Sequence, residues 1–357
     1  MIGLADRYVA RAVLLATLVV LIAMGLLMTL FALIEELQES IDGYGFLQAL
    51  RYCLLTLPRR LYEVLPYATF LGALLGLGTL AGHAETVALR AAGRSPAQLF
   101  KGVALAVAGF AAAGFALGEL AAPQGETRAE VYKRQVEQAS TELALAGGYW
   151  YREGNLYMNV EGLAADGTLL GVRQFVFDEN NFLRQARYAR RASFDAERGG
   201  WMLTQVRLTD FRDEQLLTVR HDSLFWPGRA TPQLLSAGVL LEPRKLSLMD
   251  LSFQISYMDR EGLGAGRYRL SFWTKVLQPL AMLGLALLAL AFVLGPLRLV
   301  SIGTRLAVGV LAGLSFKYLQ DLFAPMSLVY SLPAWLAVLL PILLCWGVAA
   351  WAVRLNR

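Results

Sequence analysis

Apolar residues in this chain form long unbroken runs, then a stretch of alternation, then long runs again. Ala12 to Ile34 is continuously apolar and exceeds the roughly 20 residues a helix needs to cross a bilayer. It is too long for the core of a signal peptide, so an uncleaved span is expected. Arg7 and Arg11 precede it, and Glu35, Glu36, Glu39 and Asp42 follow. That order places the N-terminus in the cytoplasm. Tyr44–Leu57 reads as an amphipathic stretch at the outer interface, interrupted by Pro58. A second span is then expected over about Leu61–Ala81 and a third over about Gln98–Ala122, closing at Pro123. Gly72, Gly76, Gly78 and Gly82 have the small-residue spacing that lets another helix approach closely.

Between the second and third spans lies His83–Pro96. Ala84–Ala92 uses mostly good helix formers, and Gly93 follows where a helix end favours a residue free to take positive φ. Ser95, Pro96 and Gln98 then match an N-cap, a first helical position and a third position. A short capped helix, about 84–93, is therefore expected on the cytoplasmic side. It carries Glu85 and Arg90 on a surface of small residues.

From about Gln124 to Arg267 no run could span. A helical stretch, Gln124–Ala144, comes first. After Gly147-Gly148 the period drops to two, with Leu156, Met158 and Val160 alternating with Tyr157, Asn159 and Glu161. Leu169–Phe177, Phe182–Phe194, Trp201–Phe211 and Gln215–Trp226 are further strand candidates, separated by turn-forming clusters. Short strands at this spacing predict a β-sandwich or jelly roll. Leu246–Glu261 reads as a helix or an extended return to the membrane. Three more spans follow: about Leu270–Leu294, one ending near Phe323, and Pro333–Val353, with Ala324–Leu332 as a short outer loop.

Composition agrees with a membrane class: the 357 residues are 56% hydrophobic and their mean hydropathy is +0.47. The expected fold is a polytopic α-helical membrane protein of six transmembrane helices with an inserted periplasmic all-β, jelly-roll-like domain. Its boundaries fall at 1–123, 124–266 and 267–357. The expected cytoplasmic segments are strongly basic, as the positive-inside rule requires. Other cations stand at the outer membrane face instead: Arg59, Arg60, Lys133, Arg134, Arg267, Arg269 and Lys275. They suit interfacial anchoring, and they equally suit the phosphates of an anionic lipid headgroup. Lys317 and Asp321 lie four apart inside a span, as a structural pair or a functional one.

Several chemistries have no residues to stand on. There is no phosphate-binding G-x-x-x-x-G-K-[ST] loop and no G-x-S-x-G elbow. The two histidines, His83 and His221, are far apart, and Cys53 and Cys345 define no disulfide framework. No cofactor, metal or catalytic residue is expected.

Taken in order, a set of short motifs resembles the LptF/LptG family of lipopolysaccharide export permeases, nearer its LptG branch. They are Asp6-Arg7-Tyr8; Gly72 to Gly78 in the second span; Glu85 with Ala92-Gly93; and Ala122-Pro123-Gln124-Gly125-Glu126. In the second half they are Gly266-Arg267-Tyr268, Trp273-Thr274-Lys275, Gln278-Pro279-Leu280, Phe292 to Arg298, Leu328-Val329-Tyr330 and Pro333. The resemblance covers essentially the whole chain. It implies one permease half of an ATP-driven exporter that pairs with an LptF-like partner above an LptB-like ATPase dimer. Lipopolysaccharide would be taken from the outer leaflet of the inner membrane of a Gram-negative bacterium. It would then pass through the β domain to an LptC-like membrane-anchored protein and a periplasmic bridge. The cytoplasmic helix would dock on the ATPase, with Glu85 the matching acidic residue and Arg90 and Gly93 beside it. Arg59 and Lys133 match lipid-phosphate contacts; Arg60, Arg134, Arg267, Arg269 and Lys275 join them on charge and depth alone. Where the family often has a basic residue late in the first span, this chain has Ala32. Leu156, Met158, Val160, Phe175 and Phe177 are candidate positions along an apolar conduit, although ordinary core packing gives the same alternation. The alternative from another class is a mechanotransmitting or sensory membrane protein whose β domain binds a partner without moving lipid. A secondary transporter would carry more intramembrane acids than this chain does.

Overall fold

The computed structural model describes residues 3–38, 45–140, 149–164, 167–212, 215–228, 232, 242–295, 300–330 and 332–355. They form two compact units. The first comprises Met1–Glu39, Phe46–Gly125 and Gly266–Arg357, and the second Ser40–Gly45 and Glu126–Ala265.

The first unit is helical. Its elements are α1 (Leu4–Gln38), α2 (Phe46–Gly82), α3 (Glu85–Ala91), α4 (Pro96–Ala116), the start of α5 (Ala122–Ser140), α7 (Gly266–Leu294), α8 (Ile302–Val329) and α9 (Ala334–Leu355). Among the described residues, six helical segments are long and apolar enough to cross a membrane. The most apolar stretch of α2 is 78% buried, against 22% for α1 and 17% for α8, so α2 is the axis of the unit. Its glycines make that possible. A Cβ at Gly76 would lie 2.8 Å from the Ala12 carbonyl and 2.9 Å from the Val13 Cα, and one at Gly72 would overlap Thr17. Without side chains there, α1 packs backbone to backbone against α2.

Proline does not end helices where it was expected to. Pro58 and Pro66 both lie inside α2, which runs unbroken from Phe46. The amphipathic stretch, the arginines and the second span are thus one helix. Likewise α8 continues through Pro325 to Val329, across most of the expected outer loop. A buried helix in water is disfavoured by about 3 kcal/mol or more for an interior proline. In a membrane any non-helical alternative would strand still more backbone groups, so the helix persists. Pro123 is accommodated differently. α4 passes into a π-helical turn, Leu117–Ala121, and continues as α5 without a break. The Ala122 N–H reaches back to the Leu117 carbonyl. This widened turn gives the proline ring room that a regular α-turn lacks.

The second unit is built on a six-stranded antiparallel sheet whose strands neighbour one another in sequence order: β1 (Tyr149–Glu153), β2 (Leu156–Leu163), β3 (Leu169–Phe177), β4 (Leu183–Asp195), β5 (Gly200–Arg212) and β6 (Gln215–Trp226). This is the inserted β domain. The helix α6 (Leu248–Arg260) follows, with Ser247 as its N-cap, so of the two readings for Leu246–Glu261 the helix is the one present. Tyr257 of α6 stacks on Tyr151 at 4.9 Å. Its hydroxyl accepts from the Arg152 N–H at 2.9 Å and donates to the Arg152 carbonyl at 2.7 Å. Burial raises the Tyr257 pKa to about 12.

A row of kinks crosses this sheet. Glu161, Gly171, Arg190, Gln205 and Asp222 each interrupt pairing whose register is otherwise continuous on both sides. Gly171 has φ +60° and Gln205 φ +53°. Leu169 and Val172, Ala189 and Ala192, and Leu203 and Val206 are each three apart, yet all are buried in one core. In a regular strand such residues point to opposite faces. The inward-outward alternation therefore resets along this line in β3, β4 and β5.

Candidate functional site

The seven residues of α3 are too few to hold a helix by themselves, so contacts set its position. Ala84 precedes it in a left-handed conformation, φ 58°, which starts the helix one residue later than composition implied. Gly93 has φ +86°. The Gly93 N–H bonds the Arg90 carbonyl at 3.0 Å, and the Arg94 N–H bonds the Leu89 carbonyl at 3.1 Å. This left-handed closure satisfies carbonyls that a helix end otherwise leaves open. Ser95 and Gln98 then form a reciprocal capping box with Pro96 in the first turn of α4. Glu85 in the first turn of α3 and Arg90 in its last turn complement the helix dipole. Thr86 is buried, while Val87, Ala88 and Ala91 form an exposed face of small apolar groups. Beside α3 lies a groove of about 290 Å³ lined by Val87, Arg90, Ala91, Val293 and Leu294.

Two long-range contacts hold α3, and its residue composition gave no sign of either. The Tyr8 hydroxyl donates to Glu85 Oε2 at 2.7 Å. Arg94 Nη1 donates to Asp6 Oδ1 at 2.6 Å. Near the same end of the unit, Arg305 of α8 is buried and donates to the Gly78 carbonyl in the last turns of α2 at 2.6 Å. A cation is favourable at a helix C-terminus, and the absent side chain of Gly78 makes the approach possible.

The cations proposed for a headgroup have different local partners. On α2, Arg59 pairs with Glu63 at 2.5 Å, and Arg60 Nε donates to Thr56 Oγ1 at 3.2 Å. Lys275 turns inward. Its Nζ donates to the Gly118 carbonyl at 3.4 Å and stands 5.3 Å from the centre of the Tyr62 ring. The π-turn explains this contact: the Ala122 N–H has gone to Leu117, and Pro123 has no N–H to offer, so the Gly118 carbonyl is left for a side chain. Arg267 and Arg269 are exposed on the first turn of α7. Lys133 is half-buried on α5 in the second unit, and the side chain of Arg134 lies outside the described residues. Lys317 and Asp321 pair at 2.5 Å, each about half exposed on α8.

The five conduit candidates separate onto two faces. Met158 and Val160 are 0% exposed in the core, with Leu156 packed against it. Phe175 pairs in register with Tyr157, on the opposite face. There Trp150 stacks with Phe175 at 6.1 Å and Tyr157 meets Phe177 edge-on at 5.3 Å. With Asn181 these aromatics line a groove of about 630 Å³. Trp150 and Tyr157 belong to this group, and their period-two alternation with the core residues was the signal that could have revealed them.

Comparison with known proteins adds to this geometry. Residues 7–355 match the family model described as lipopolysaccharide export system permease LptF/LptG. A protein of Escherichia coli (strain K12) named lipopolysaccharide export system permease protein LptG is 34% identical over 341 residues, 95% of this chain and 94% of the relative. The Haemophilus influenzae protein of the same name is 29% identical over 358 residues, covering both chains fully.

Proposed function

The chain belongs to the LptF/LptG family of lipopolysaccharide export permeases, and from that premise we propose how its parts divide the work. It is a permease subunit of a lipopolysaccharide export system, a multi-pass inner-membrane protein and not an enzyme. In our reading the energy comes from a separate, LptB-like ATPase dimer, because the sequence has no nucleotide loop of its own. The helix α3 receives it. The observation that carries this is the geometry of α3: closed at its C-terminal end by Gly93, held by side chains from elsewhere in its unit, and turning an apolar face outward beside a groove. Glu85, Arg90 and Gly93 are its key residues.

Both termini then lie in the cytoplasm and the β domain in the periplasm, supported by the basic cytoplasmic segments. The parts are 1–123 and 267–357 as the membrane body and 124–266 as the periplasmic domain. The exposed apolar faces of α1 and α8 suit an LptF-like partner. Lipopolysaccharide is drawn from the outer leaflet and handed by the β domain to an LptC-like protein and the bridge beyond. Arg59, Arg60, Lys133, Arg134, Arg267 and Arg269 attract its phosphates. Lys275, engaged by Gly118, contributes by holding the π-turn in place. Along the sheet, the groove of Trp150, Tyr157, Phe175 and Phe177 suits acyl chains, while Leu156, Met158 and Val160 form the wall behind it.

The test is Glu85→Lys in the assembled complex. Loss of ATPase attachment, or of lipopolysaccharide release per ATP, is expected. Normal assembly and export would overturn the role of α3. The sensory alternative predicts that the purified protein carries no phosphorylated glycolipid.

A further inference from the structure

The contacts at the two ends of α3 have a common target. Glu85 stands at its start and Arg94 just beyond its end. Their partners, Tyr8 and Asp6, both lie in the first turns of α1. Two residues apart on a helix, those side chains leave α1 on nearly opposite sides, so α1 is gripped from two directions. Asp6 is itself held, because its other oxygen accepts the Gly3 N–H at 2.9 Å. The same turns of α1 are pressed against α4: a Cβ at Gly102 would lie 2.8 Å from the Asp6 carbonyl and 2.9 Å from the Val9 Cβ. Further along, Gly76 and Gly72 bring α2 against Ala12, Val13 and Thr17. A displacement of α3 therefore has a direct mechanical route into α1, the span whose face is mostly open.

We propose that Tyr8, Asp6 and Arg94 form a two-point latch that binds α3 to α1, so that a push on α3 moves α1 as one rod. Tyr8 positions the Glu85 carboxylate. The Asp6–Arg94 pair fixes the far end of α3, so that α3 cannot pivot about one contact and dissipate the push. The Tyr8–Glu85 contact is exposed and the Asp6–Arg94 pair partly buried; contacts of the exposed kind contribute little to overall stability. Their worth is in transmission. This inference rests on α3 being the helix that receives the ATPase stroke.

The test uses the complete complex in lipid nanodiscs. It reads three quantities: ATPase bound per permease, ATP hydrolysed, and lipopolysaccharide released per ATP. The variants are Tyr8→Phe with Arg94→Gln, Arg94→Gln alone, the charge swap Asp6→Arg with Arg94→Asp, and Glu85→Lys. In the first, ATPase binding is expected to stay level while release per ATP falls by roughly twofold to thirtyfold, the range for losing a coupling contact. The swap keeps the bridge with reversed polarity and is expected to recover most of the release lost when Arg94 alone is neutralised. Unchanged release per ATP in the first variant overturns the latch. So does a loss of bound ATPase that fully accounts for the fall, since the residues would then only shape the docking surface. A swap that folds and recovers nothing overturns the Asp6–Arg94 arm. If Glu85→Lys uncouples export and the latch variants do not, only the latch fails. If Glu85→Lys also exports normally, the reading of α3 itself fails.

Discussion

The helical unit and the β domain both depart from regular geometry, and they absorb the departure in opposite ways. In α2 the ring of Pro58 removes one hydrogen bond, and the helix continues without a break. At Pro123 the disturbance spreads over one π-turn and is answered by a single side chain, Lys275. A helix satisfies its own backbone, so its irregularities stay local. A strand shares its hydrogen bonds with both neighbours. The irregularity at Gly171 therefore reappears at Glu161, Arg190, Gln205 and Asp222, and resets the facing of side chains in β3, β4 and β5. One unit tolerates defects singly; the other takes them as a row.

That contrast can be broken or sharpened by substitution. The largest effect is expected at Gly72→Leu. Its side chain would overlap Thr17 of α1, and overpacking of a helix seam costs about 1–3 kcal/mol or more. The purified protein should aggregate at a lower temperature, with the amides of α1 exchanging faster and those of the sheet unaffected. Next is Gly171→Val, which places a branched residue at φ +60° against Glu161, at a cost of about 1–3 kcal/mol. If the row is collective, exchange should quicken in β2, β4 and β5 as well as β3; a change confined to β3 would contradict it. Tyr257→Phe removes both hydrogen bonds to Arg152, and should cost about 1–3 kcal/mol within the β domain. The same hydroxyl makes an alkaline prediction. Its folded pKa is raised from 10.0 to about 12, so the neutral phenol is the favoured form. The associated stability is complete below pH 10 and is lost as pH rises through 12. Comparing tyrosinate absorbance of the parent and Tyr257→Phe measures it. Smallest is Pro123→Ala, which restores an N–H able to bond within the turn. Amide exchange over 117–122 should slow, with global stability shifted by less than about 1 kcal/mol.

What could be read from the sequence was local. The capping box at Ser95 and Gln98, the positive φ of Gly93 and the full extents of β3 and β6 depend on neighbours within a few positions. Pro58 and Pro123 misled because proline ends helices most reliably where nothing else carries the chain on, and here a longer helix and a π-turn do so. The split of Phe175 and Phe177 from Met158 and Val160 depends on how β3 pairs with β2 and on which face α6 covers, which no strand states alone. Tyr8 and Asp6 had been visible only as members of a short motif. Their partners are 77 and 88 residues away, a relation that only the packing of α1 beside α3 creates. Arg305 is one basic residue among many in the sequence, yet it is buried against Gly78.

The central claim is that this permease holds a phosphorylated glycolipid through cations at the outer ends of its helices while α3 receives the driving force. The most direct measurement is the mass of lipid carried by the purified complex, with Arg59→Glu and Lys133→Glu compared against the unaltered chain. The account predicts lipopolysaccharide bound to the unaltered complex, and a clear loss of that lipid in the charge-reversed one with its protein subunits still assembled. An equal lipid load in both, or no phosphorylated glycolipid in either, would contradict it.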